Sequence, residues 1–135
     1  MNKNKLFVYY QPNAKDIKDK YGDCTIRALS KALNVSWLEA FDLTIPICRE
    51  GQVTNVFDAP VEIRNEFLEK LGFAYNKVSN SKGTKRPTVA SFAKAHPTGT
   101  FIVNVAHHEV AVVDGKYYDT WDSGSCSLYG YYEKF

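Results

Sequence analysis

This sequence contains the three kinds of side chain that thiol-based catalysis requires. Cys24 follows a Gly-Asp pair near the start, two adjacent histidines, His107 and His108, precede an apolar run far downstream, and Asp119 follows that run. In such chemistry a thiolate attacks a carbonyl carbon, a histidine carries the proton, and a carboxylate orients the histidine. Cys24, one histidine and Asp119 therefore form a candidate triad, provided that the fold brings them together.

Both histidines precede a predicted β-hairpin. Asp114-Gly115 lies between two strand-like runs, "EVAVV" and "KYYDTW". An Asp-Gly pair in that position predicts a two-residue turn, which sets Val113 opposite Lys116 and continues the pairing outward. Because a slip of one residue would exchange the two faces of the hairpin, this turn decides which histidine is the candidate base.

The alternation of side chains places the two histidines on opposite faces. His108 shares its face with Asp119 and Trp121, and because that face has no lysine or glutamate we expect it to be buried. There His108 and Asp119 are diagonal neighbours, and Trp121 would shield both from water. The competing pair, His107 and Asp122, lies on the face expected to be wetter. We predict His108 as the functional histidine, the alternative being a His–Asp pair that only holds the sheet.

The candidate nucleophile is predicted at the start of a helix. Asp23 is a plausible N-cap, apolar residues recur at helical spacing through "CTIRALSKAL", and Asn34 is expected to end the helix. The unpaired N–H groups and the dipole of a helix N-terminus favour a thiolate. A small buried cysteine is the alternative for Cys24 taken alone.

The other elements set the expected fold class. A short strand in "LFVYY" comes first, and a second helix is expected from Trp37 to about Thr44, after a Ser36 capping box and before Pro46. A third helix, capped by Asp58, is expected in "DAPVEIRNEFLEKLG" and a fourth in "VASFAKAH". Strands then follow in "TFIVNVA", "EVAVV", "KYYDTW" and "CSLYGYYEKF". This order predicts a single α+β domain over residues 1–135, with N-terminal helices packed on a C-terminal antiparallel sheet.

Composition and charge argue against several classes of function. The chain has 135 residues, 44% hydrophobic and 24% charged, with a formal net charge of +2. That charge is too small to indicate a nucleic-acid partner, and the apolar runs are shorter than the roughly 20 residues of a membrane helix. With three cysteines and no Cys-x-x-Cys pair, we expect neither a disulfide framework nor a metal site, and we expect no cofactor. We expect a cytoplasmic protein.

Two motifs resemble the papain-like cysteine peptidase superfamily. "GDCTIRALSKAL" and, far downstream, "HHEVAVVDGKYYDTW" follow the family's order of helix-borne cysteine, strand-borne histidine and a third Asn or Asp. In papain a tryptophan covers the bond between the third residue and the histidine, and "DTW" is similar to that arrangement. The closest likeness is to double-glycine leader peptidases and to small proteins of phages and low-GC Gram-positive bacteria. The resemblance implies a papain-like fold with Cys24, His108 and Asp119 as the triad, supported by Asp23 and Trp121, and the host cytoplasm as location if a phage encodes the chain.

One family feature is missing at its usual position. Papain-like enzymes carry an oxyanion-hole glutamine about six residues before the cysteine, and here that residue is Lys18. Gln11 or Asn13 could supply the side-chain amide if the chain loops back, and we favour Gln11. The alternative is that both are polar turn residues beside Pro12.

Three functions are compatible with these patterns. The first is a cysteine peptidase or related acyl-transfer enzyme acting on a peptide or protein. The second is a non-catalytic binding module on the same scaffold, which would sequester a host protein or a small molecule. The third, a nucleic-acid binder built on "KGTKRP" and the tyrosines, is the weakest, because no recognisable motif joins basic and aromatic residues.

Overall fold

The structure is a computed structural model that describes residues 5–15, 22–79 and 85–135. These residues form an α+β fold with four α-helices and a six-stranded mixed sheet. The helices are α1 (Cys24–Leu33), α2 (Trp37–Gly51), α3 (Val61–Lys70) and α4 (Val89–Ala95), and a 3-10 helix (Val56–Asp58) precedes α3. The strands are β1 (Phe7–Tyr9), β2 (Phe73–Lys77), β3 (Thr100–Val105), β4 (His108–Val113), β5 (Lys116–Asp119) and β6 (Gly130–Lys134).

The strand order of the sheet is β1-β5-β4-β3-β6-β2. Its neighbouring strands are antiparallel, except that β1 runs parallel to β5. The expected antiparallel sheet is therefore wrong at this edge, since a strand that precedes all the helices can return beside β5 in either direction. Strand β2, which pairs with β6, was not predicted, because "FAYNK" is short and sits directly after a helix.

The β4–β5 hairpin has the predicted register. Val113 lies opposite Lys116 and Ala111 opposite Tyr118, as the two-residue turn requires. Asp114 and Gly115 both have positive φ, at 49° and 82°, which is the conformation that makes Asp-Gly a favoured hairpin turn.

Helices cover both faces of the sheet. On one face Val110, Val112 and Tyr117 pack against α4, as expected for the buried face. On the other face Ala111 packs in the cluster that α1 contributes to, and Glu109 is only 3% exposed. As predicted, this second face is the wetter one, with His107, Lys116 and Asp122 exposed. Its middle is nevertheless covered by α1, and the burial of Glu109 there was not predicted.

The four predicted helices are present, but the end of α2 and the N-cap of α3 differ from the prediction. Helix α1 begins at Cys24, and Asn34, which follows its last residue, adopts the left-handed conformation. Thr88 caps α4. Helix α2 begins with the predicted capping box but continues through Pro46 to Gly51. Pro46 and Asp42, four residues earlier, are both exposed, so the missing hydrogen bond lies on the solvent side of the helix while Ile47 packs inside. Asp58 does not cap α3; it ends the 3-10 helix, and Pro60 is the N-cap residue.

Candidate active site

One end of each of three secondary-structure elements lies at the same end of the sheet. Cys24 is the first residue of α1, His108 the first of β4 and Asp119 the last of β5. The hairpin register brings His108 and Asp119 to the same end of neighbouring strands, and α1 packs on β4 so that its N-terminus arrives there too. The structure thus brings together the three residues that the sequence singled out.

His108 lies between the carboxylate and the thiol. Its Nε2 is 2.6 Å from Asp119 Oδ2, and the Cys24 thiol interacts with the same ring. Because Asp119 occupies Nε2, Nδ1 is the ring nitrogen left for the sulfur. Burial lowers the pKa of His108, but the hydrogen bonds and electrostatic attraction of Asp119 and Cys24 outweigh it and raise the pKa to about 9. The imidazole is therefore protonated at neutral pH.

Asp119 is held rigidly at the end of β5. Its side chain is 2% exposed. The backbone N–H of Thr120 donates to Oδ1 at 2.7 Å, and the Ser123 hydroxyl donates to Oδ2 at 2.8 Å. Arg27 Nη2 lies 3.3 Å from Oδ1 and adds an ion pair. These donors stabilise the charged carboxylate, and a fixed carboxylate in turn fixes the ring of His108.

Arg27 connects the helix to this carboxylate, and it was not predicted. It lies one turn after Asp23 on α1 and pairs with both Asp23 and Asp119. The signal for the first pair was visible, because residues four apart on a helix face the same side. The pair with Asp119 spans 92 positions of the chain and carried no local signal. Ser123, fully buried, is the other residue that was missed.

Asp23 stands at the N-cap position but does not cap. Its side chain makes no capping hydrogen bond to the helix N–H groups. One oxygen pairs with Arg27, and the other accepts from the indole Nε1 of Trp37 at 3.3 Å. The first N–H groups of α1 are therefore left without a side-chain cap from Asp23, next to the Cys24 sulfur.

The aromatic cover and the second histidine differ from their predicted places. Trp121 lies beyond the end of β5 and is 49% exposed, not on the buried face. It still covers His108, with ring centroids 5.0 Å apart. His107 occupies the tight turn between β3 and β4 with a φ of 53° and is exposed. It lies outside the strand because Ala106 and His107 form the turn between the paired residues Val105 and His108.

A cavity of about 290 Å³ opens onto the sulfur and the imidazole. It is lined by Gly22, Asp23, Cys24, Arg27, His107, His108, Thr120 and Trp121. Cys24 is 7% exposed, and it lines this cavity. Its size is at the lower end of the range of about 300–1,000 Å³ for ligand pockets.

The two candidate oxyanion residues do not line this cavity. Gln11 Oε1 accepts from the N–H of Asn13, and Asn13 Oδ1 accepts from the N–H of Lys15. Both side chains thus form local turns beside Pro12, which was the alternative interpretation. The prediction that Gln11 or Asn13 faces the thiol is wrong in this conformation. Lys18, at the position of the family glutamine, lies outside the described residues.

A second polar cluster lies behind the candidate triad. Thr25 Oγ1 donates to Glu109 Oε1 at 2.7 Å, and Asn104 Nδ2 donates to Oε2 at 3.2 Å. Arg64 Nη1 is 3.9 Å from Oε2. Burial raises the pKa of Glu109, while Thr25 and Arg64 act in the opposite direction. Since Thr25 follows Cys24 and Glu109 follows His108, this cluster ties α1 to β4 next to the candidate site.

The described residues contain neither a metal-type cluster nor a membrane-length helix. They contain no group of three or more His, Cys, Asp or Glu side chains suited to a metal ion. None of the helices among them has the length and apolar character needed to cross a membrane. "KGTKRP" lies partly outside the described residues. In comparisons with known proteins, no family model, curated protein or solved structure matches this chain.

Proposed function

We propose that this chain is a thiol-dependent hydrolase or acyl-transfer enzyme of the papain-like kind, acting on an amide bond of a peptide or protein in the cytoplasm. One observation supports this above the rest: His108 lies between the Cys24 sulfur at a helix start and a carboxylate that accepts four hydrogen bonds. A histidine that served only the sheet would not need a thiol on its second nitrogen.

In this proposal the resting site is a thiolate–imidazolium pair. The raised pKa of His108 keeps its proton at neutral pH, and the α1 N-terminus favours the negative sulfur. The thiolate attacks the carbonyl carbon of the substrate and forms a C–S bond. His108 then gives its proton to the leaving nitrogen as the C–N bond breaks, which leaves a thioester.

The second half of the reaction regenerates the thiol. Neutral His108 removes a proton from water, or from an amine acceptor, as that nucleophile attacks the thioester carbonyl. The C–S bond breaks and the sulfur leaves as a thiolate beside the imidazolium. Asp119 stabilises the protonated ring in both halves and stays ionised, with Arg27 balancing its charge.

The oxyanion in this proposal is held by backbone donors. The N–H of Cys24 lies at the uncapped first turn of α1, where it is suited to a developing negative charge. Since Gln11 and Asn13 do not line the cavity, the proposal assigns no side-chain donor to them. This is the observation that favours the second candidate, a non-catalytic binding module, in which the cavity holds a ligand and no bond is broken.

Alkylation by iodoacetamide at about pH 6 separates the two candidates, with Cys48 as an internal control. Burial raises the pKa of the Cys48 thiol, so it should react slowly at this pH. If the proposal is correct, Cys24 reacts at least about a hundredfold faster than Cys48 by peptide mass spectrometry, and His108→Ala removes most of that advantage. Equal rates at the two cysteines would refute the catalytic proposal and favour the binding module.

A further inference from the structure

A second, more apolar cavity adjoins the candidate active site. It measures about 470 Å³ and lies between α1, α2 and the segment that precedes the 3-10 helix. Gly22 and Asp23 line both this cavity and the one at Cys24, so the two share a rim. The two cavities are therefore neighbours, and both border the segment that leads into Cys24. We call this second cavity the apolar groove.

The walls of the apolar groove are built from one face of α2 and the chain opposite it. Trp37 and Phe41 stack with ring centroids 5.4 Å apart and planes 5° apart. Phe41 and Ile45 are each 37% exposed, and Val53 and Val56 complete the opposite wall. Partly exposed aromatic and branched side chains around one concavity are typical of a site that receives an apolar group.

The shared rim is fixed by contacts that leave little room for change. Asp23 bonds to Trp37 Nε1 and to Arg27, so the carboxylate is neutralised and the indole is held in place. At Gly22, with a φ of 68°, an added Cβ would lie 1.7 Å from Asn55 Nδ2. A side chain at position 22 would therefore collide with Asn55, a lining residue of the apolar groove.

We infer that the apolar groove is a specificity site for a large apolar side chain, aromatic or branched, next to the bond that Cys24 attacks. This inference rests on the proposed function and adds the substrate class. Among the described lining residues Asp23 is the charged one, and it is already paired. A charged substrate side chain would lose its hydration there without gaining a partner, so the groove selects against it.

The inference is tested with electrophiles whose apolar arm grows one methylene at a time. The probes are chloroacetamide and its N-benzyl, N-phenylethyl and N-phenylpropyl derivatives. In each, the sulfur displaces chloride from carbon, and the rate of adduct formation at Cys24 is followed by peptide mass spectrometry. We expect at least one phenyl arm to raise the second-order rate about tenfold over chloroacetamide, since apolar contacts in a pocket give such ratios.

Two variants on the groove and one matched control locate the effect. In Phe41→Ala and Ile45→Glu the phenyl advantage should fall to about twofold or less, while the chloroacetamide rate stays near that of the wild type. Leu38→Ala is the control, because Leu38 is on the same helix and 67% exposed but lines a different cavity. It should keep the full advantage. Melting temperatures confirm that all three variants are folded.

The possible outcomes distinguish failure of the groove inference from failure of the proposed function. If Cys24 reacts quickly with chloroacetamide but no arm adds to the rate, the proposed function stands and the groove inference is wrong. A phenyl advantage that survives in both groove variants also overturns the inference, because the arm then binds elsewhere. If Cys24 reacts with none of the probes, the proposed function is wrong, and the groove inference fails with it.

Discussion

Two polar clusters lie back to back on β4 and use neighbouring residues of the same two elements. The open cluster contains Cys24 and His108, and it lines a cavity. The closed cluster contains Thr25 and Glu109, whose side chain is 2% exposed. Because consecutive side chains of a strand point to opposite faces, a single step along β4 separates a group that can meet a substrate from one that is sealed inside.

The clusters differ in what their polar groups contact: those of the closed cluster bind one another, whereas the open cluster faces a cavity. In the closed cluster the carboxylate of Glu109 accepts from Thr25 and Asn104 and faces Arg64, so its capacity is used within the protein. In the open cluster the Cys24 sulfur has the imidazole on one side and the cavity on the other. The bond between Thr25 and Glu109 positions the first turn of α1, and thereby the sulfur, against His108.

The largest effect is expected from neutralising the carboxylate of the open cluster. Asp119→Asn should lower Cys24-dependent turnover, or Cys24 alkylation at about pH 6, by between about a hundredfold and ten-thousandfold, because His108 loses the group that keeps it protonated and oriented. Asp114→Asn is the matched control, since it sits at the far end of the same hairpin and Asn-Gly is also a favoured turn. Equal losses in both variants would contradict the assigned role of Asp119.

Removal of the carboxylate from the closed cluster should affect stability instead of reactivity. Glu109→Ala removes the ion-pair partner of Arg64 and leaves the buried Thr25 hydroxyl without its acceptor, and we expect the free energy of unfolding in urea to fall by about 3 kcal/mol. Glu66→Ala, which removes an exposed ion pair with Lys70, should cost less than about 1 kcal/mol. The folded fraction of Glu109→Ala should keep Cys24 alkylation within about tenfold of the wild type. A loss as large as that of Asp119→Asn would erase the distinction between the clusters.

The open cluster should also make stability depend on pH. The folded-state pKa of His108 is raised from 6.5 to about 9, so the folded protein holds this proton more tightly than the unfolded chain. The resulting stabilisation is complete below pH 6.5 and disappears as the pH rises through about 9, and it amounts to at most about 3 kcal/mol. Urea unfolding across this range measures it, as the difference between the wild type and His108→Gln. A difference that does not change with pH would show that folding does not shift the pKa of His108.

The smallest effect is expected at the mouth of the open cluster. Trp121→Ala removes the ring that covers His108 but opens no core, because Trp121 is half exposed. A contact between a protonated imidazole and an exposed indole is worth about 0.5–1 kcal/mol, so alkylation of Cys24 should slow about two- to fivefold. Tyr129→Ala, at a residue that is 45% exposed and outside the cavity, is the control. Trp121→Phe should restore most of the rate, and failure to do so would mean that the indole has another role.

Local patterns predicted the parts of the open cluster that lie close together in sequence. The Asp-Gly turn set the register of the β4–β5 hairpin and so paired His108 with Asp119. The helix pattern placed Cys24 at the first position of α1. Each of these depends on backbone preferences and side-chain periodicity over a few residues, which act the same way in any fold.

Contacts between distant segments account for what the sequence reasoning missed. Arg27 reaches Asp119 only because α1 packs on the hairpin, and the same packing buries Glu109 on the face expected to be wet. Trp121 was assigned to a strand face, but β5 ends at Asp119, so the indole turns outward. Gln11 was assigned to the thiol, but its amide satisfies the turn at Asn13.

The sequence by itself determined the α+β class, most helix and strand positions, and the pairing of His108 with Asp119, because these follow from hydrogen bonding and alternation between near neighbours in the chain. The tertiary structure decided that Cys24 meets this pair, that Arg27 bridges the helix to Asp119, and that the apolar groove opens beside the sulfur. Those features depend on how α1 and α2 pack on the sheet. Packing is set by the shapes and volumes of many side chains at once, and no short stretch of sequence contains it.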